Sequence, residues 1–131
     1  MMHLLILDDE EDILQSFARV LDTLGHTCKT FTNAEQAVQA YHDEAFDVVI
    51  TDYMMPGMNG LDVIQSLKQV DPKAFIIVIT GYGSLEVALG SLGQGAYYYM
   101  TKPLDFTEMK IVLERINAEI LMRKRLQAIR A

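Results

Sequence analysis

Cysteine is almost absent from this chain of 131 residues, since Cys28 is its sole example. A lone cysteine cannot form an internal disulfide, and the three histidines lack cysteine partners at zinc-ligand spacing, so neither a disulfide framework nor a zinc site is expected. Long hydrophobic runs are also missing, because the longest, at residues 74–79, is far too short to cross a bilayer. No cationic segment precedes the first apolar run, which Asp8 interrupts, so no signal peptide is expected. These absences predict a cytoplasmic protein.

Basic residues are scarce as well. Eleven Lys and Arg stand against 18 Asp and Glu, and the resulting net charge of −7 argues against nucleic-acid binding by the body of the domain. The exception is residues 117–131, where four basic residues and one acidic residue give a local charge of +3: Arg123, Lys124, Arg125, Arg130 and Glu119. A solvated helix face is the expected role of this segment, and a weak interaction patch is the alternative.

Strand and helix patterns alternate five times along the chain, and its length predicts one domain with one core. Strands are predicted at residues 4–7, 27–31, 47–52, 75–80 and 96–101, and helices at 12–24, 32–43, 60–70, 84–94 and from 105 onward. This alternation predicts an α/β fold, a doubly wound, flavodoxin-like sheet of five parallel strands with helices on both faces. The order 2-1-3-4-5 puts the half-polar second strand on an edge and the apolar first, third and fourth strands inside.

Several helix ends carry recognisable cap residues. Helix starts are predicted at Thr32, Ser84 and Asp105, and the first and last of these precede a Glu by three residues in a capping-box pattern. Gly25 is predicted to end the first helix as a C-terminal cap.

Carboxylates end two of the predicted strands. Asp52 ends the third strand and precedes a turn-forming stretch, and Asp8 and Asp9 follow the first strand. Neighbouring strands lie about 4.8 Å apart, so these acids are expected to converge at the sheet edge where open α/β sheets bind ligands. Three carboxylates so close would raise one another's pKa, a conflict that a divalent cation removes. All-oxygen ligands predict Mg²⁺.

The two remaining strand ends offer donors. Thr80 ends the fourth strand with a hydroxyl, and Lys102, before Pro103, follows the fifth with an ammonium. A carboxylate, a hydroxyl, an ammonium and Mg²⁺ together form a receptor for a phosphoryl group. Asp52 is predicted to be the covalent acceptor, because no other Asp or Glu is as well placed at a strand end.

These motifs, in this order, resemble the receiver domain of bacterial two-component response regulators. The residues that carry the resemblance are Asp8-Asp9, Asp52 followed by Met55-Pro56-Gly57, Thr80-Gly81, Gly95-Ala96, Tyr99 and Lys102-Pro103. The resemblance covers residues 3 to about 120. Stretches 80–84 and 101–105 are most similar to the receivers of enhancer-binding transcription activators that carry an ATPase module.

The resemblance implies a role for each acid. Asp52 would take a phosphoryl group from a sensor histidine kinase and form an acyl phosphate. Asp9, Asp52 and the backbone carbonyl of Met54 would ligate Mg²⁺ directly, and Asp8 would act largely through a metal-bound water. Bulky Met54 and Tyr82 beside the site would hinder water, which predicts slow self-dephosphorylation.

The resemblance also implies a switch. Lys102 would pair with the phosphoryl oxygens, Thr80 would hydrogen-bond to one of them and move towards it, and Tyr99 would swing inward to fill the space left. The Lys102-Pro103 bond is expected to be cis. The face built by the fourth helix, fifth strand and fifth helix would then control an output such as transcription. The chain would thus be a phosphoacceptor and a phosphorylation-dependent homodimer, without direct nucleic-acid or membrane binding.

Two features near the output face extend this expectation. Gly90 and Gly93 lie inside the fourth helix and each should cost roughly 1 kcal/mol relative to Ala. We hypothesise that this helix is loosely held at rest and becomes firmer on phosphorylation. Residues 1–120 are predicted to form the receiver, and residues 121–131 a helical extension or linker towards an output domain outside this chain.

Other interpretations stay open from the sequence alone. Residues 8–12 could be an acidic helix N-terminus, where negative charge is favourable. This interpretation suits Glu10, Glu11 and Asp12, but it suits Asp8 and Asp9 less well because both directly follow the apolar run. Thr80 could be an ordinary strand residue. Lys102 could lie in a surface turn, and Tyr99 could be a core aromatic. The alternative functions are a Mg²⁺-dependent phosphohydrolase with Asp52 as nucleophile, or an interaction module that is not phosphorylated. Met54 stands where such hydrolases usually carry a general acid, which disfavours the hydrolase.

Overall fold

Our computed structural model describes residues 1–55, 57–81 and 85–130, without the side chains of Met58 and Leu85. The strands of the central sheet are β1 (His3–Leu7), β2 (Thr27–Phe31), β3 (Val48–Asp52), β4 (Ile76–Thr80) and β5 (Tyr98–Thr101). The helices are α1 (Glu11–Thr23), α2 (Ala34–Asp43), α3 (Gly60–Val70), α4 (Leu85–Gly93) and α5 (Phe106–Arg130). A short antiparallel hairpin, Met54–Met55 with Met58–Asn59, lies between β3 and α3.

The five strands are parallel, and their order is β2-β1-β3-β4-β5. This is the predicted order 2-1-3-4-5. Every residue of β3 and β4 is buried, whereas β2 at the edge is exposed or half-buried along its length. Strands buried on both faces read as continuous apolar runs, which is why β3 and β4 lack the alternation of a half-exposed strand.

Alternating side chains divide the core into two layers. Leu4 and Ile6 of β1 pack with α1 and α5, whereas Leu5 and Leu7 pack with α2 and α3. A buried aliphatic side chain of this size contributes about 1.5–3 kcal/mol to folding. The two layers therefore hold the central strands rigidly, and with them the residues at the strand ends.

The cap predictions have mixed outcomes. Gly25 has a φ of 85° and donates its backbone N–H to the Asp22 carbonyl at 3.0 Å, which confirms it as the cap of α1. The Thr32 capping box is wrong, because Asn33 caps α2 by accepting from the Gln36 N–H at 3.0 Å. Asn is at least as good a cap residue as Thr, so the helix begins one residue later than the Thr32 capping box predicted.

Caps were also predicted for the starts of α4 and α5. Asp105 accepts hydrogen bonds from the N–H groups of Thr107 and Glu108 at 2.9 and 3.2 Å, so it caps α5 as predicted. The predicted cap Ser84 lies outside the described residues.

α5 is the longest element. Its 25 residues correspond to about 37 Å of helix, and only its first half contributes residues to the core. Among the described residues, no helix combines the length and the hydropathy needed to cross a bilayer.

Candidate functional site

The Lys102 ammonium is the meeting point of the predicted site. Its Nζ lies 3.3 Å from Oδ2 of Asp8, 3.3 Å from Oδ2 of Asp52 and 3.5 Å from Oε1 of Glu10. Asp8 follows β1, Asp52 ends β3 and Lys102 follows β5, so the parallel sheet delivers all three to its carboxyl edge. The Lys102-Pro103 peptide bond is cis, as predicted.

Asp8 and Asp52 are nearly inaccessible to solvent, with 2% and 4% of their surfaces exposed. Burial raises the pKa of the Asp8 carboxyl, although a hydrogen bond from the Glu10 N–H opposes it. Burial also raises the pKa of Asp52, against the opposing charge of Lys102. Desolvation therefore outweighs pairing at both acids, and an added cation at this edge would stabilise their ionised forms.

The pKa of Lys102 is shifted by its burial and by the charges of the neighbouring acids. Burial lowers its pKa, but the charges of Asp52 and Asp8 outweigh burial, so the pKa of the ammonium lies above its usual value. Lys102 therefore stays cationic at neutral pH and provides a fixed positive charge beside the Asp52 carboxylate.

The acids after β1 also form a group. Ligand oxygens of Asp8, Asp9 and Glu10 lie within 4.8 Å of one another. Asp9 is exposed, and its charge acts to raise the pKa of Asp52. A set of carboxylate oxygens without His or Cys fits a hard divalent cation such as Mg²⁺. Glu10 is the member that sequence analysis assigned to the helix N-terminus, because the residue number alone does not show that its side chain turns back towards Lys102.

Thr80 lies directly beside the lysine. It ends β4, is fully buried, and its backbone carbonyl accepts from the Lys102 N–H at 2.8 Å. The register pairs Thr80 with Thr101 and Asp52 with Ile79 on adjacent strands. The sheet therefore places Asp52, Thr80 and Lys102 at successive positions along one edge.

Tyr99 lies on β5, half-buried against the core layer formed with α2 and α3. The register pairs Tyr99 with Val78, so Tyr99 lies on the strand next to the one that Thr80 ends.

The loop after β3 closes one side of the site. The Met54 N–H donates to Oδ1 of Asp52 at 3.3 Å, while the Met54 side chain is 59% exposed. A Cβ at Gly60 would lie 2.7 Å from the Tyr53 carbonyl oxygen, so only glycine allows α3 to start this close to the loop. Sequence analysis did not identify this contact, which depends on a tertiary approach. Tyr82, the other predicted flanking side chain, lies outside the described residues.

Open α/β sheets carry their ligand sites at the carboxyl edge, and here that edge holds buried acids, a lysine and a buried threonine. Residues 4–114 match the family model described as the response regulator receiver domain. The chain therefore belongs to the response regulator receiver domain family.

Relatives and solved structures agree with this family. The chain is 34% identical over 110 residues to the DNA-binding transcriptional regulator NtrC of Escherichia coli K12, which covers 84% of this chain and 24% of NtrC. It is 34% identical over 106 residues to the response regulator protein PilR of Pseudomonas aeruginosa, covering 81% and 24%. The chain thus spans about a quarter of the length of these curated relatives.

Two solved structures have similar folds. The beryllofluoride-activated NtrC4 receiver domain dimer superposes with a TM-score of 0.86 at 29% identity, covering 91% of this chain and 98% of that chain. NtrX from Brucella abortus in complex with ATP superposes with a TM-score of 0.87 at 28% identity, covering 96% and 29%.

Proposed function

We propose that Asp52 accepts a phosphoryl group from a sensor histidine kinase and that its phosphorylation switches an output, with transcription the expected one. The observation that carries this proposal is the buried Asp52 carboxylate at the end of β3, 3.3 Å from the Lys102 ammonium. Such a pair offers a nucleophile and, beside it, a positive charge for the oxygens of the incoming group.

The transfer conserves atoms and charge. An Asp52 carboxylate oxygen attacks phosphorus, the bond from phosphorus to the donor histidine nitrogen breaks, and that nitrogen keeps the electron pair and is protonated. The product is an acyl phosphate on Asp52. Lys102 would exchange part of its contact with the carboxylate for a contact with the phosphoryl oxygens, and Thr80 would donate its hydroxyl to one of them.

Magnesium would be held by Asp9, Asp52 and the backbone carbonyl of Met54, with Asp8 acting through water. The short separations among Asp8, Asp9 and Glu10 support this assignment, and Glu10 adds a carboxylate to the predicted set. The ion would supply positive charge that offsets the acids and the incoming phosphoryl group. The buried acids with raised pKa are the groups that gain most from it.

The output would lie in a longer protein. The relatives named above are about four times as long as the matched segment, which supports a receiver over residues 1–120 joined through a helical extension, 121–131, to an output domain. The NtrC4 receiver is described as a dimer when activated with beryllofluoride, which supports a phosphorylation-dependent homodimer here. Thr80 and Tyr99 would couple the site to the face of α4, β5 and α5.

Incubation with acetyl phosphate and Mg²⁺ tests the acceptor directly. Intact mass should increase by one phosphoryl group, and Asp52→Asn should abolish the increase. Asp12→Asn, which removes an exposed acid from the first turn of α1, is the matched control and should be labelled like the wild type. Labelling that survives Asp52→Asn would overturn the proposal, and rapid turnover of general phosphoesters would favour the phosphohydrolase instead.

Dephosphorylation should be slow, because Met54, whose N–H donates to Asp52 at 3.3 Å, carries a bulky side chain that would hinder the approach of water. Met54→Ala should speed the decay of the phosphoprotein by about two- to tenfold, since it opens a path for the attacking water. Decay is followed by intact mass after the donor is removed. An unchanged decay rate in Met54→Ala would count against steric protection by this residue.

A further inference from the structure

The far end of the sheet, opposite Asp52, carries a ring of four side chains that the phosphoryl chemistry does not use. We call it the α5 clasp, and its members are Phe75, Tyr97, Glu119 and Arg123. Phe75 and Tyr97 lie just before β4 and β5, and Glu119 and Arg123 lie one turn apart on α5.

Each member of the clasp contacts the next. The guanidinium carbon of Arg123 stands 4.3 Å above the centre of the Phe75 ring, and the Phe75 and Tyr97 rings meet edge to face at 5.4 Å. The Tyr97 hydroxyl donates to Oε1 of Glu119 at 3.0 Å, and Oε2 of Glu119 lies 4.0 Å from Nη2 of Arg123. The contacts therefore close into a ring that ties α5 to the starts of two strands.

Arg123 also makes a contact outside the ring. Its Nη1 donates to the backbone carbonyl of Lys73 at 3.1 Å, in the turn between α3 and β4. One guanidinium thus satisfies a carbonyl, covers an aromatic face and approaches a carboxylate, which its planar fork of donors permits and an ammonium would not.

The clasp lies where hydrophobic packing of α5 ends. Ile116 is the last fully buried residue of this helix, and Ile120 is only partly buried. A helix end without tertiary contacts frays in water, because short helices are marginal on their own. The clasp supplies the remaining contacts, on the helix face that continues the buried stripe.

We propose that the α5 clasp anchors the helix as far as Arg123 and fixes the rotation at which α5 leaves the receiver. The free part of the helix then begins after residue 123, rather than at residue 121. With this rotation, Met122 and Ile129 are exposed. The inference goes beyond the proposed function and does not depend on phosphorylation of Asp52. Because β4 and β5 run from the clasp to Thr80 and Lys102, the same two strands connect the phosphoryl site with the base of the helix.

Hydrogen exchange measured by mass spectrometry on the 131-residue chain tests the clasp, with Arg123→Ala as the main variant. Amides of residues 119–126 should exchange about tenfold faster, the change expected when a cation–π contact and a charge-assisted hydrogen bond are lost together. Amides of residues 106–116 should change less than about twofold, since their packing is unaffected.

Two further variants keep this test specific. Arg125→Ala removes an exposed arginine of the same helix and should leave exchange of residues 119–126 within about twofold of the wild type. Tyr97→Phe keeps the ring against Phe75 but removes the hydroxyl bond to Glu119, and should speed exchange there by about threefold. Equal effects of Arg123→Ala and Arg125→Ala would overturn the proposal. So would an Arg123→Ala variant that exchanges faster throughout the sheet, because the clasp would then be a general stability element.

Discussion

α1 and α4 cover the same sheet but are held to it very differently. α1 buries Leu14, Phe17 and Leu21 on one face. Of the α4 side chains that the structure describes, only Ser91 is buried, and Leu89 and Leu92 are 60% and 45% exposed.

The backbone of α4 adds to the difference. Gly90 and Gly93 lie within α4, and a Cβ built on either would meet nothing within 4 Å. No packing need therefore explains these glycines. Gly90, in the interior of the helix, weakens it by roughly 1 kcal/mol relative to Ala, whereas Gly93 is its last residue. The molecule therefore combines a well-packed sheet, whose rigid edge holds the residues of the phosphoryl site, with a weakly held helix on the expected output face.

The largest predicted difference in stability comes from removing a buried side chain that packs α1 against the core. Phe17→Ala removes a fully buried ring that meets Phe106 edge to face, and should lower the free energy of unfolding by about 3–5 kcal/mol. Leu92→Ala on α4 should lower it by less than about 1 kcal/mol, because that side chain is already half in water. Urea denaturation measures both. Similar losses of unfolding free energy in the two variants would contradict the view that α1 is held to the sheet more firmly than α4.

A smaller effect is expected from strengthening α4. Gly90→Ala should raise the free energy of unfolding by about 0.5–1 kcal/mol, since the helix gains propensity and the methyl group meets no neighbour. Gly95→Ala is the matched control and should destabilise, because Gly95 has a φ of 109° and a Cβ there would lie 2.8 Å from Cε of Lys68. A destabilised Gly90→Ala variant would show that α4 carries packing that the structure does not reveal.

The smallest effect is expected at the rigid edge and depends on pH. Burial raises the pKa of Asp52, so ionising this group costs more in the folded than in the unfolded chain. The protonated Asp52 carboxyl therefore makes its full contribution to stability below about pH 4. That contribution is lost as pH rises through the raised pKa. Asp52→Asn should then be more stable than the wild type at pH 7, by about 1 kcal/mol or less, but not near pH 4.

Urea denaturation in the absence of Mg²⁺ at the two pH values checks this sign. Asp12→Asn, at an exposed position of α1, should show no such pH-dependent gain. A wild type that is more stable than Asp52→Asn at pH 7 would mean that pairing with Lys102 outweighs burial. The pKa of Asp52 would then be lowered.

Most of the fold follows from the sequence because local patterns and sheet physics agree. No tertiary information was needed to predict β3 and β4 from their apolar runs. The same is true of the helix ends at Gly25 and Asp105. The strand order followed from which strands are apolar enough to be buried. The start of α2 was missed by one residue, because Thr32 and Asn33 are both good caps and only the chain path selects between them.

The site was predictable to the extent that strand ends determine it. Asp8, Asp52, Thr80 and Lys102 meet because parallel strands end at one edge. Glu10 and Gly60 were missed because their contacts depend on how a side chain turns back and how closely a helix approaches a loop. The α5 clasp was missed for the same reason, since charged residues near a helix end resemble a solvated face until the partner rings are placed.

We infer that phosphorylation of Asp52, at the rigid edge of the sheet, changes how firmly α4 is held. Hydrogen exchange of residues 85–93, measured before and after addition of beryllofluoride and Mg²⁺, tests it most directly. We predict lower protection of α4 than of α1 at first, a rise in α4 protection on addition, and no rise in Asp52→Asn. An α4 as protected as α1 without beryllofluoride, or unchanged on its addition, would contradict the claim.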